Sequence, residues 1–261
     1  MKTAIKLILL DLLIVQIIAP ILALIPCVLY ILAIGGKLEN DTLINMIMIP
    51  AQLTGQLLMG AYLWKAGYIS TQKKTWSPVS SSYLIYSAIA IVTSGTVISV
   101  LMEQMKWIPN IMEQSFDILQ SGWGGILAIS IIGPVLEELL FRGAITKALL
   151  QQYRPTKAIL LSALFFGVFH INPSQILPAF LIGILFAWTY YKTGSLLPCI
   201  LMHILNNSLS VFLSIKYPET ENMSELIGHN SYLIIIFAAA LMMTITIYRM
   251  NFKTINHTWK S

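Results

Sequence analysis

Polar residues are unevenly spread along the chain: long apolar runs alternate with short segments that hold most of the charge. Runs near or beyond the roughly 18–20 residues that a helix needs to cross a bilayer read as spans. Eight are read, over about 7–34, 42–64, 80–104, 121–149, 157–171, 174–192, 195–214 and 231–249. The first follows Lys2 and Lys6 as a signal peptide would. It continues to Ile34, however, too far for a cleaved apolar region, and no small-residue site closes it, so it reads as a retained helix. It is long enough to tilt, and Asp11, near its start, is expected to reach the interface. The fifth run is short, about 22 Å as a helix, and Asn172-Pro173 ends it sharply. No internal repeat or low-complexity tract divides the chain, which predicts an all-α polytopic protein with one transmembrane domain over 1–261.

Composition strengthens the membrane assignment. Charged residues make up 10% of the chain and hydrophobic ones 57%; about 25% charged is usual for a soluble domain. The net charge of +5 does not point to nucleic acid, because the basic residues form no dense cluster and stand beside the apolar runs. With the N-terminus cytoplasmic, the inner ends carry Lys2, Lys6, Lys65, Lys73, Lys74, Lys147, Arg154, Lys157, Lys192, Arg249, Lys253 and Lys260. The outer loops carry only Lys37, Lys106 and Lys216. That asymmetry follows the positive-inside rule and predicts both termini in the cytoplasm, with the protein in the plasma membrane. Glu39, Asp41, Glu103, Glu113, Asp117, Glu219, Glu221 and Glu225 all fall outside. Cys27 and Cys199 lie within apolar runs and read as small buried hydrophobes, not as a disulfide.

Six titratable groups remain inside the spans: Asp11, Glu137, Glu138, Arg142, His170 and His203. Such groups cost about 2.5–3.5 kcal/mol each for Asp, Lys or Arg at a helix centre, so their retention points to use. Glu138 and Arg142 are four apart on one helical face and can pair. Glu137 is rotated about 100° from its neighbour and is left to face a cavity, where a poorly solvated carboxylate suits a general base. An inter-helix clamp in which the three neutralise one another is the structural alternative. His203 and Asn207 are also four apart and share a face, able to donate to one oxygen or simply to bond a neighbouring helix; Asn206 points away and is given no role. His170 alone on its helix would read as a core residue. Depth brings the groups together: Glu137 lies about 15 Å from Lys147, His203 about 16 Å from Lys192, and His170 about 20 Å from Lys157 along their helices.

Three motifs stand in order on successive runs: Glu137-Glu138-Leu139-Leu140-Phe141-Arg142, then Phe166-Gly167-Val168-Phe169-His170, then His203-Ile204-Leu205-Asn206-Asn207. Over about residues 121–213 the chain resembles the CAAX protease and bacteriocin-processing family, also called the Abi family, of intramembrane proteases similar to type II CAAX endopeptidases. The resemblance implies a catalytic core in the fourth to seventh helices, set in the membrane towards the cytoplasmic side. It implies Glu137 as the base that activates water, His170 as the residue that orients that water, and His203 with Asn207 as oxyanion donors. Glu138 and Arg142 would support Glu137. The substrate would be a membrane-associated peptide or protein. No cofactor is expected; zinc held by Glu137, His170 and His203 is the alternative, but no His-Glu-x-x-His pattern is present and Asn207 is a poor zinc ligand. Two other classes compete: a non-catalytic bacteriocin-immunity or membrane regulatory protein on the same fold, and a transporter or proton relay. The complete acid–base set argues against the first, and polar groups confined to one half of the chain argue against the second.

Overall fold

The computed structural model describes residues 1–36, 39–69, 75–76, 78–218, 220, 222, 224–225, 228–253 and 259. Lys37, Lys73, Lys74, Glu219, Glu221 and Lys260, counted above among the loop charges, lie outside the described residues. The described chain is helical: α1 (Lys2–Ala33), α2 (Asn40–Lys65), α3 (Ser81–Glu103), α4 (Glu113–Gln120), α5 (Trp123–Gln152), α6 (Pro155–Phe169), α7 (Pro173–Thr193), α8 (Leu197–Lys216) and α9 (His229–Phe252). Seven of these are long and apolar enough to cross a membrane, and α6, at 15 residues, is the shorter apolar helix that Asn172-Pro173 announced. The chain is an integral membrane protein. Short helix α4, in what the sequence suggested was an outer loop, was not foreseen; only its Leu119 is buried.

α5 is the central element. Half of its most apolar stretch is buried, against 11% in α9, which lies at the periphery against α3. α1, α2, α6, α7 and α8 all pack on α5. Its backbone is not regular: π-helical turns at Ala128–Ile132 and Leu139–Thr146 bracket the α-helical segment Gly133–Glu138. Bonding five residues back instead of four is uncommon and concentrates at functional sites, because the extra residue re-aims side chains and weakens the hold on nearby carbonyls.

α1 shows what such a turn does. Its buried residues run Ala4, Leu7, Asp11 and Ile14, the three-and-four spacing of one helical face, then resume at Ala19, Ala23, Cys27 and Ile31. The jump of five falls across the π-helical turn Ile14–Ile18, which keeps a single stripe turned inward over the whole helix. Gly55 of α2 meets this turn: an added Cβ would stand 3.2 Å from Val15 Cα and 3.3 Å from Ala19 Cβ. Asp11 lies on the stripe and is therefore buried, not at the interface as expected.

α6 and α7 form a tight hairpin. At Gly167 a Cβ would fall 2.7 Å from Ile176 O, and at Gly183 one would fall 3.2 Å from Ala163 Cα, so glycine lets the two backbones touch. The turn between them holds Ile171 at φ 61°, a left-handed conformation that costs a β-branched residue about 1–2 kcal/mol. Asn172 fastens that turn from outside, since its Oδ1 accepts from Ile111 N–H and its amide donates to Asn110 Oδ1 at 2.8 Å. Both cysteines are buried, and the Cys199 thiol points at Phe186 O.

Candidate functional site

The two glutamates end the α-helical segment Gly133–Glu138 at the middle of α5, between its π-helical turns, and the rest of the site assembles around them. Arg142 follows one turn later on the same face. Its Nη1 donates to Glu138 Oε1 at 2.9 Å, with both side chains fully buried, as the four-residue spacing predicted. Nη2 reaches Gly183 O at 3.3 Å across the helix interface. The guanidinium also lies over the rings of Phe166 at 4.5 Å and Phe186 at 5.1 Å, so its weakly hydrated plane is faced by π electrons where water is absent.

Glu138 has a second partner that helical spacing did not reveal. His203 Nδ1 donates to the same Oε1 at 2.8 Å. That bond fixes the imidazole orientation and turns Nε2 towards Glu137, whose Oε2 stands 3.7 Å away. This separation is too long for a direct hydrogen bond. Glu137 is otherwise unspent: its side chain is 28% exposed, and its Oε2 is buried without a hydrogen-bond partner. The division into an engaged Glu138 and an available Glu137 agrees with the helical argument.

His170 caps α6. Its Nδ1 lies 2.8 Å from Phe166 O and, facing a carbonyl, must carry the hydrogen, which leaves Nε2 as the uncommitted nitrogen. The Phe166 ring stands between the two histidines, with centroids 4.9 Å from His170 and 5.6 Å from His203. His203 and Asn207 do not share an acceptor. Asn207 Nδ2 donates to Ile129 O at 3.0 Å, leaving its second N–H uncommitted, and its Oδ1 accepts from Asn206. Asn206 lines a groove between α3 and α8, with Gly95 opposite its Oδ1.

One buried polar residue, Gln56, escaped the sequence reading, and another, Asp11, was expected elsewhere. Gln56 of α2 donates from Nε2 to Ala128 O at 3.2 Å, beside the Gly133 N–H that this oxygen also accepts, so two carbonyls of the first π-helical turn receive side-chain amides, Ala128 O from Gln56 and Ile129 O from Asn207. Asp11, approaching from α1, lies within electrostatic range of Glu137. An uncharged amide escapes a search for titratable groups, although its place in an apolar run was a usable signal. The π-helical turn that keeps Asp11 inward has no sequence signature.

The donor set does not gather around a metal. Among the described residues no three of His, Cys, Asp and Glu converge as ligands. One nitrogen of each histidine is already committed, Nδ1 of His203 to Glu138 and Nδ1 of His170 to Phe166 O.

Comparison with known proteins bears on the segment that carries this geometry. Residues 119–209 match the family model described as "Type II CAAX prenyl endopeptidase Rce1-like". The match spans all three motifs and bears out the resemblance drawn from them. The chain is 31% identical over 100 residues to "Putative membrane peptidase YdiL" of Bacillus subtilis (strain 168), covering 38% of this chain and 41% of that protein. It is 32% identical over 101 residues to "Membrane-embedded CAAX protease MroQ" of Staphylococcus aureus (strain USA300), covering 36% of this chain and 40% of that one. The chain thus spans about two fifths of the length of the curated relatives it matches. No solved structure matches.

Proposed function

We propose that the protein, whose residues 119–209 match the type II CAAX prenyl endopeptidase-like family model, is an intramembrane peptidase that hydrolyses a membrane-associated peptide with a water activated by Glu137. The observation that carries this reading is the asymmetry of the glutamate pair. Glu138 Oε1 is taken by Arg142 and His203 and its whole side chain is closed off, the unpartnered Oε2 included, whereas Glu137 is 28% exposed and turns an unpartnered Oε2 to His203. An unpaired buried acceptor demands a donor, and a water molecule is the smallest one.

In the proposed reaction Glu137 takes a proton from that water as its oxygen attacks the scissile carbonyl carbon. His170 offers its Nε2 lone pair to the water's other hydrogen, the orientation that its bond to Phe166 O leaves available. The carbonyl oxygen becomes an oxyanion. The second N–H of Asn207 and a proton on His203 Nε2, held in place through Nδ1 by Glu138, supply the stabilising donors. Glu137 then returns its proton to the leaving amine as the C–N bond breaks. No step is routed through a metal. The loop charges support an orientation with both termini in the cytoplasm and the site opening towards that side of the plasma membrane.

The test is cleavage by purified protein in phosphatidylethanolamine and phosphatidylglycerol vesicles, read on a mixed panel of quenched-fluorescent apolar peptides. Glu137→Ala, His170→Ala and His203→Ala should each abolish cutting while folding is retained. Full cleavage by Glu137→Ala overturns the assignment. Loss of wild-type activity with a strong chelator, and its return with added zinc, would replace the metal-free chemistry proposed.

A further inference from the structure

Gln56 belongs to α2, outside the family-matched segment, and takes no part in the reaction as written above. Three observations join it to the site. It is the ninth residue before Lys65, about 14 Å along its helix from that end, and Glu137 is about 15 Å from Lys147, so the two share one depth. Both also border the same small space. A Cβ added at Gly133, one turn before Glu137, would lie 3.0 Å from Gln56 Nε2 and 3.8 Å from Glu137 Oε1. Glycine at that position keeps the space open between the amide and the carboxylate.

The third observation is an unmet demand. Gln56 is only 7% exposed, and its Nε2 faces Ala128 O, which fixes the amide orientation because two carbonyl oxygens cannot bond each other. Its Oε1 is therefore placed, buried, and left without a hydrogen-bond partner. Nε2 also keeps a second hydrogen beyond the one given to Ala128. A primary amide with a free oxygen and a free N–H matches the C=O and N–H edge of a peptide group. It recognises main chain and makes no demand on side-chain identity.

We propose that Gln56 binds the backbone of the peptide substrate, with Oε1 accepting a main-chain N–H beside the scissile bond. This rests on the peptidase reading. It adds a binding contact from α2, a helix outside the family-matched segment. Its bond to Ala128 O, the counterpart of the Asn207 bond to Ile129 O, holds the receiving amide in register with Glu137.

The experiment is a backbone N-methylation scan of the panel peptide that the wild type cuts fastest, with the vesicle-reconstituted protein. Each N–H is replaced in turn, and KM and kcat are measured for wild type, Gln56→Met and Gln56→Ala. In wild type, one position near the cut should raise KM by about tenfold when methylated, the scale of one hydrogen bond in a dry site. In either Gln56 variant that folds by thermal denaturation, the unmethylated peptide should show the raised KM, and methylation at that position should cost nothing more. A merely structural amide would lower the folded fraction and leave the scan unchanged. If the folded variants keep the full wild-type methylation profile, the inference is wrong. If Glu137→Ala cuts like wild type, the Glu137-centred reaction on which the placement rests falls instead, and the two failures are told apart in one assay.

Discussion

Removing Glu138 puts the architecture under the greatest strain for the smallest change. In Glu138→Ala, Arg142 Nη1 and His203 Nδ1 lose the carboxylate oxygen they share at 2.9 and 2.8 Å, in surroundings closed to water. Charge-assisted bonds contribute about 1.5–3 kcal/mol each. Their combined loss agrees with the roughly 3–5 kcal/mol recorded when one member of a buried ion pair is deleted. Arg142 keeps Gly183 O and the faces of Phe166 and Phe186, so the lower end of that range is expected. Even so, about 3 kcal/mol far exceeds the roughly 0.6 kcal/mol average of a polar contact between membrane helices. The measurement is equilibrium unfolding in dodecylmaltoside micelles titrated with sodium dodecyl sulfate, followed by tryptophan fluorescence. Glu138→Leu combined with Arg142→Met removes both charges and should recover most of the lost stability, because no unpaired ion remains. Cleavage should not recover with it. His203 would still lack its Nδ1 acceptor, and losing one charge-assisted bond from a positioning residue corresponds to about a ten- to hundredfold fall in rate. A Glu138→Ala protein within about 1 kcal/mol of wild type would refute the reasoning, as would a double variant no more stable than the single one.

Other expectations test the scaffold. Gly167→Ala should destabilise by about 2–3 kcal/mol, since its Cβ would press on Ile176 O, a backbone atom that cannot swing aside; Gly122→Ala, with 3.8 Å to Ile49, should stay near zero in the same unfolding assay. Asp11→Asn should be at least as stable as wild type by thermal unfolding, because it replaces a buried carboxyl near Glu137 with a neutral amide of the same shape. A clear loss there would mean that Asp11 holds a cation or donor.

The apolar runs made the helices legible, down to the short α6, because spanning length and Asn172-Pro173 are local properties. The pairing of Glu138 with Arg142 was legible for the same reason, as one turn of one helix. His203 on Glu138 was not, for it joins residues 65 positions apart, and depth arguments place two side chains at one level without choosing which atoms meet. The π-helical turns were hidden too. They change no composition, yet they keep the Asp11 stripe facing inward and carry the carbonyls of Ala128 and Ile129 that Gln56 and Asn207 reach. Gln56 was missed because attention to charge passes over an amide. Its signal was the same as that of the glutamates, a polar side chain at mid-depth in an apolar helix.

The intrahelical nature of the Glu138–Arg142 pair bears on how the chain enters the bilayer. Both partners belong to α5, so their bond can form as soon as that helix coils, before α7 supplies Gly183 O or α8 supplies His203. Two of the three charges that would oppose insertion of α5 thus leave water already neutralised against each other, and Glu137 alone needs a proton or a late partner. The helix that carries the glutamates can therefore be delivered to the membrane ahead of α7 and α8, which close around a charge pair made in advance.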